Sequence, residues 1–179
     1  TESHPLTALQ KVNPPVLETA PVADYRSAVA AMIDKKFIVS QRYKDQQTRA
    51  VRENAHPDIL EFEKRLITKM RKQFVPLFCY CLWRDALTQN AHHQSGKSKA
   101  RAWESPHNYG LAVDIIHSTK AWDLTLKQWD LLGHIGKEIS VQAGINVTWG
   151  GDWKFYDPAH WELKDWKVLK DQIPMHQLK

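Results

Sequence analysis

The chain has 179 residues, with 42% hydrophobic and 25% charged residues, which suits one domain with an appendage and a real core. That balance excludes a collagen-like repeat and a disordered polyelectrolyte, and no apolar run approaches the roughly 20 residues of a membrane-spanning helix. Lys+Arg 25 against Asp+Glu 20 gives a net charge of +5, which favours polyanionic partners without accompanying finger, zipper or RNA-binding motifs. All 7 Gly fall between Gly96 and Gly151, and all 8 Trp lie from Trp83 onward. Tight turns and large aromatic surfaces together build shaped sites, so function is expected after residue 80.

Pro5, Pro14, Pro15 and Pro21 make residues 1–23 an extended arm. A helix is predicted over 24–33 with Asp24 as N-cap, and 34–55 is polar and unassigned. Asp58 opens an amphipathic helix whose core stripe is Ile59, Phe62, Leu66, Met70 and Phe74, widened by Leu60 and Ile67. Pro76 ends it, and 77–83 reads as a buried strand. Within that strand Cys79 and Cys81 point to one face and read as small buried hydrophobes. A short helix over 86–94 stops at Gly96, and 111–117 alternates as a strand. Thr125-Leu126-Lys127-Gln128 is a capping box opening a helix that Gly144 closes, with Trp129, Leu132, Ile135 and Ile139 facing the core. Short strands over 146–149 and 159–163 flank the Gly150-Gly151 turn, and 164–170 is a terminal helix. Helices and strands mix without βαβ alternation, which predicts an α+β fold with a small antiparallel sheet and flanking helices. The division expected is an N-terminal arm and helix over 1–55, a catalytic domain over 56–171 and a tail over 172–179.

Two segments concentrate chemistry: Ser105-Pro106-His107-Asn108-Tyr109-Gly110-Leu111-Ala112-Val113-Asp114, and 149–162 with Asp157, His160 and Glu162. A carboxylate between Val113 and Ile115 must be paired, hydrogen-bonded or metal-bound to offset its desolvation. His107, Asp114 and His160 would make a three-ligand zinc site with an open fourth position, leaving Asp157 as a spare carboxylate able to take a proton. Spacing alone favours Asp114 paired with an arginine and His160 as a core histidine over a metal site. Glu162 falls on the same strand face as His160, either bonded to it or at the surface. Trp149, Trp153 and Trp161 default to core packing, with one of them a cleft wall. His92, His93 and His134 read as solvated helix residues, and His117 as a strand-end surface residue.

The full text of these segments resembles the M15 zinc peptidase family, which contains D-Ala-D-Ala carboxypeptidases and dipeptidases and phage L-alanyl-D-glutamate endolysins. Ser105, His107, Gly110, Ala112 and Asp114 fill its Ser-x-His-x-x-Gly-x-Ala-x-Asp motif, and Asp157 and His160 its acidic-x-x-His motif. Gly150-Gly151-Asp152-Trp153 is similar to the Gly-Gly-x-Trp of the endolysin branch, and the similarity runs over about 58–166. The resemblance implies one Zn²⁺ held by His107, Asp114 and His160, with Asp157 as general base. It implies Arg84 as oxyanion stabiliser, although Cys81-Leu82-Trp83 replaces the family's Ser-Gly-aromatic before that arginine. Ser105, Gln89, Tyr109 and Trp153 are candidate substrate-binding residues. The implied activity is hydrolysis of the L-alanyl-D-glutamate bond in the peptide stem of peptidoglycan, with a D-Ala-D-Ala carboxypeptidase or a non-catalytic wall-binding module as alternatives. Neither nucleic acid nor stable membrane insertion is expected. No secretory signal is visible, so phage-type synthesis in the host cytoplasm and action at the wall during lysis complete the expectation.

Overall fold

The computed structural model describes residues 22–173. Residues 1–21 of the arm expected over 1–23, and residues 174–179 of the tail, lie outside them. Seven α-helices and four strands follow in the order α1 (Val22–Met32), α2 (Lys35–Ile38), α3 (Gln41–Gln47), α4 (Pro57–Lys72), β1 (Leu77–Cys81), α5 (Ala86–Gln94), β2 (Ala112–His117), α6 (Leu126–Ala143), β3 (Val147–Trp149), β4 (His160–Leu163) and α7 (Trp166–Leu169). Short 3₁₀ turns cover Pro106–Tyr109, Gly150–Asp152 and Lys170–Gln172. The strands form one antiparallel sheet in the order β1-β2-β4-β3, the α+β architecture expected.

Register assigns the two faces of this sheet. Val113 pairs with Trp161, and Trp161 meets Phe62 of α4 with ring centroids 4.9 Å apart, so this face is the core. Asp114 pairs with His160 and Ala112 with Glu162, which places both acids and the imidazole on the opposite face. On β1, Cys79 pairs with Ile115, yet Cys81 rather than Tyr80 pairs with Asp114. The β-bulge therefore separates two cysteines that a regular strand would keep together. Cys79 is fully buried, whereas Cys81 turns to the site face and is half-buried, correcting its reading as a buried hydrophobe; both are free thiols.

Helix α4 buries Ile59, Phe62, Leu66, Ile67 and Met70 as its periodicity predicts. It starts one residue before Asp58, capped by His56, whose Nδ1 accepts from Asp58 N at 3.1 Å. Phe74 departs from the predicted stripe: it follows the helix with φ 61° and is largely exposed. The capping box of α6 forms as read, with Gln128 N donating to Thr125 Oγ1 at 3.2 Å and Thr125 N to Gln128 Oε1 at 2.9 Å. Gly133 and Gly136 on α6 admit Trp149 and Trp161, which stack with centroids 5.7 Å apart; a Cβ at either glycine would collide with a tryptophan ring.

The unassigned stretch 34–55 forms α2 and α3, capped by Asp34 and Ser40. It then covers the free edge of β1: Gln47 Nε2 donates to Leu77 O at 3.1 Å, Arg49 Nε to Tyr80 O at 3.2 Å, and Trp83 N to Val51 O at 3.2 Å. Helix α1 begins at Val22, two residues before the expected cap, and lies on α6. His117 joins it to the sheet, donating from Nε2 to Met32 O at 2.8 Å and accepting at Nδ1 from Thr119 N and Lys120 N. With 1% exposure it is no surface residue; burial withdraws it and lowers its pKa below the ordinary 6.5.

Candidate metal centre and active-site cleft

The site sits on the face of the sheet opposite α4, in a cleft of about 750 Å³. Its first motif folds as a 3₁₀ turn with reciprocal caps. Ser105 Oγ accepts from His107 N at 3.2 Å, and Asn108 Oδ1 accepts from Ser105 N at 3.3 Å. Gly110 then takes φ 67°, and a Cβ there would strike the Asn54 carbonyl. This turn delivers His107 beside Asp114.

The Nδ1 of His107 lies 2.8 Å from Leu82 O, and because a carbonyl only accepts, Nδ1 carries the proton. The Nε2 of that ring is buried, lies 3.2 Å from Asp114 Oδ2 and has no well-aligned hydrogen bond among the described residues. An orphaned ring nitrogen facing a carboxylate is what a bound cation would resolve. On the other carboxylate oxygen, His160 Nδ1 donates to Asp114 Oδ1 at 3.0 Å, and its Nε2 donates to Glu162 Oε1 at 2.9 Å. Asp114 thus stands between two imidazoles. Burial opposes its charge, but His107 and then His160 outweigh that and hold its carboxyl well below the usual range. Burial likewise opposes protonation of His160, yet the bonds from Asp114 and Glu162 raise its pKa to about 9. Such a ring keeps both protons unless a cation replaces one.

Cys81, His107 and Asp114 form a possible metal site, their donor atoms lying within 4.8 Å of one another. The thiol, however, is 3.7 Å from His107 Nδ1, the nitrogen already committed to Leu82. His160 stands on the other oxygen of Asp114, outside that group, with its two ring nitrogens engaged by Asp114 and Glu162.

Arg84 is clamped at the cleft floor. Its Nη1 donates to Gln89 Oε1 at 2.9 Å, Nη2 approaches Cys81 Sγ at 3.4 Å, and Nη2 stands 3.9 Å from Asp114 Oδ2. Asp157 lines the same cleft, half-buried, and its carboxylate has no hydrogen bond or ion pair among the described residues. Burial first, and then the charge of Asp114, raises its pKa. Trp153 lines the cleft with its ring 5.2 Å from that of His160.

Other sequence candidates fall around this centre in different ways. Ser105 lines the cleft but spends its hydroxyl on the His107 turn. Gln89 is fully buried beneath it, with both ends of its amide engaged. Tyr109 is buried, donates to Trp103 O at 2.9 Å and is not among the cleft-lining residues. His92, read as solvated, lines the cleft wall. Asn108 was not singled out from the sequence, yet it is fully buried and ties the His107 turn to the arginine through Nδ2, which donates to Arg84 O at 2.9 Å. The Ser105-x-x-Asn108 capping spacing was the signal available for it.

Residues 98–163 match the family model described as D-alanyl-D-alanine carboxypeptidase, a span containing His107, Asp114, Asp157 and His160. That span is less than half of the chain, and over it the sequence is similar to this family. Among curated proteins, the chain is 32% identical over 91 residues to the peptidoglycan L-alanyl-D-glutamate endopeptidase CwlK of Bacillus subtilis, covering 42% of this chain and 53% of that protein. The chain thus spans about half the length of the curated relative it matches. The fold is similar to that of the Serratia marcescens L-Ala D-Glu endopeptidase ChiX, with a TM-score of 0.54 at 23% identity over 72% of this chain and 90% of that one. Arg84 lies outside the matched residues 98–163, so its place beside Asp114 is a finding of the geometry.

Proposed function

We propose that this chain is a zinc peptidase of the M15 kind that hydrolyses an amide bond of the peptidoglycan peptide stem, the L-alanyl-D-glutamate bond in particular. The observation carrying it is the orphaned His107 Nε2 against Asp114, with His160 on the other oxygen of the same carboxylate. His107, Asp114 and His160 hold the ion, and Glu162 fixes the His160 ring from its far side. Bound there, Zn²⁺ supplies Lewis acidity and lowers the pKa of water toward about 7.

The chain's own groups supply the remaining chemistry. Asp157, unpartnered and with a raised pKa, takes a proton from the attacking water and returns it to the leaving amine. Arg84, held by Gln89 and Cys81, presents its guanidinium to the negative charge that develops on the scissile carbonyl oxygen. The unpartnered Asp157 also weighs against a non-catalytic wall-binding module, which has no use for a poised base. Both relatives named above carry L-Ala-D-Glu endopeptidase names, which favours that bond. D-Ala-D-Ala carboxypeptidase is the second reading, favoured by the description of the matching family model. Action at the cell wall, in a lysis role of the endolysin kind, belongs to the same proposal.

Elemental analysis tests the ligand set. One zinc per chain is expected in the parent and in Cys81→Ser, and loss of zinc in His160→Ala. Zinc retained in His160→Ala but lost in Cys81→Ser would transfer the site to the thiol.

A further inference from the structure

The cleft carries a positioned cation without an anion. Lys99 lies on the loop between α5 and the His107 turn, and its Nζ rests 4.4 Å from the ring centroid of Phe155, on the loop between β3 and β4. The contact bridges two walls of the cleft, and both residues line it. Among the described residues Lys99 has no carboxylate partner.

The backbone on either side of Lys99 is fixed from below. Gln89 Nε2 donates to Ser98 Oγ at 3.1 Å and to Ala100 O at 2.7 Å, and Ala100 N donates to Ser98 Oγ at 3.1 Å. The same buried Gln89 accepts from Arg84 Nη1 at 2.9 Å. One side chain therefore sets the spacing between the arginine at the reaction centre and the loop that carries the lysine. Glu104, Asp114, Asp157 and Glu162 also line this cleft, so an anionic group entering it is turned from these acids toward the cleft's cations, Lys99 and neighbouring Lys97 among them. An ammonium seated on an aromatic ring keeps its outer hydrogens available for a second partner.

We propose that Lys99, seated on Phe155, is a carboxylate subsite that binds a free carboxylate on the substrate residue supplying the scissile nitrogen. This rests on the peptidase reading above. In an L-alanyl-D-glutamate unit that continues through the γ-carboxyl, the α-carboxyl of the glutamate is free and sits on the carbon bearing that nitrogen. Amidation of this group removes the charge while keeping the shape, so the subsite makes the enzyme distinguish the two forms.

The test uses two synthetic stem peptides that differ only in an α-carboxylate or α-carboxamide on the D-glutamyl residue. The zinc-loaded parent is expected to prefer the carboxylate by about tenfold or more in kcat/KM. K99A should bring that ratio close to one, chiefly through KM, and K99R should keep most of it. Calorimetric binding of the uncut peptides to zinc-loaded Asp157→Asn should show the same preference, and K99A in that background should abolish it. A ratio unchanged by K99A, or a parent that cuts and binds both peptides alike, would overturn the subsite while leaving the peptidase reading intact. A zinc-loaded parent that cuts neither peptide would overturn that reading, and the subsite with it.

Discussion

Leu82 O accepts a hydrogen bond from His107 Nδ1, and that one bond leaves the buried Nε2 turned to Asp114 without a well-aligned hydrogen bond among the described residues. Ring orientation here is set by a backbone carbonyl, so it persists whatever occupies the site. Asp157 differs from its neighbours in having no hydrogen bond or ion pair on its carboxylate among the described residues, and burial together with the Asp114 charge raises its pKa. A base works deprotonated, so kcat/KM is expected to fall toward acid through a pKa above the ordinary carboxylate range. Asp157→Asn should lower kcat by about 10²–10⁴ with zinc content unchanged, read by stem-peptide hydrolysis and metal analysis. His117 gives a second pH effect, on stability. Its folded-state pKa is lowered, so its contribution is complete above the ordinary value of 6.5 and is lost as pH falls from there toward the folded value. Denaturant unfolding at pH 7.5 and 5.5 should show an acid loss in the parent that is smaller in His117→Asn, which is itself less stable at the higher pH. An equal acid loss in both proteins would remove His117 as its source.

At the scale of elements, the large tryptophans and the glycines that face them form one packing unit. Gly133 and Gly136 cost helix α6 about 1 kcal/mol each in propensity, and the room they leave admits Trp149 and Trp161. Gly136→Ala is therefore expected to destabilise the fold by about 1–3 kcal/mol, overpacking outweighing the gain in helix propensity, measured as a lowered midpoint in denaturant. An unchanged or raised midpoint would show that the Trp161 ring has space to move. The sequence concentration of glycine and tryptophan after residue 80 thus has two causes: turns such as Gly110 in the site, and helix–sheet contact that periodicity does not reveal. Helices α4 and α6 and strands β2 and β4 were legible because an apolar period, a capping box or an alternation marks each. The β1 bulge was not, because a single extra residue leaves composition unchanged while reversing the face of everything beyond it. For that reason Cys81 read as core although it stands beside Asp114. Helices α2 and α3 escaped notice because each is too short to show a period, although Asp34 and Ser40 are ordinary caps.

On the scale of the whole molecule, the sheet separates two tasks. One face is sealed by α4 and α6, and the other presents Asp114, His160 and Glu162 to the cleft, so a rigid core backs the polar cluster. The polar stretch before α4 finishes the architecture by covering the β1 edge, and His117 joins the first helix to the same sheet. No helix among the described residues is long and apolar enough to cross a membrane. The His107–Asp114 and Asp157–His160 motifs were legible from residue order because their spacing is local. The contacts that orient Arg84 through Gln89, Asn108 and Cys81 were not, because they join segments that only the fold brings together. The most direct measurement is mass spectrometry of the new amino termini formed when zinc-loaded protein digests purified peptidoglycan. The account predicts amino groups on D-glutamyl residues, absent from the Asp157→Asn digest, and free D-alanine or no new amino terminus would contradict it.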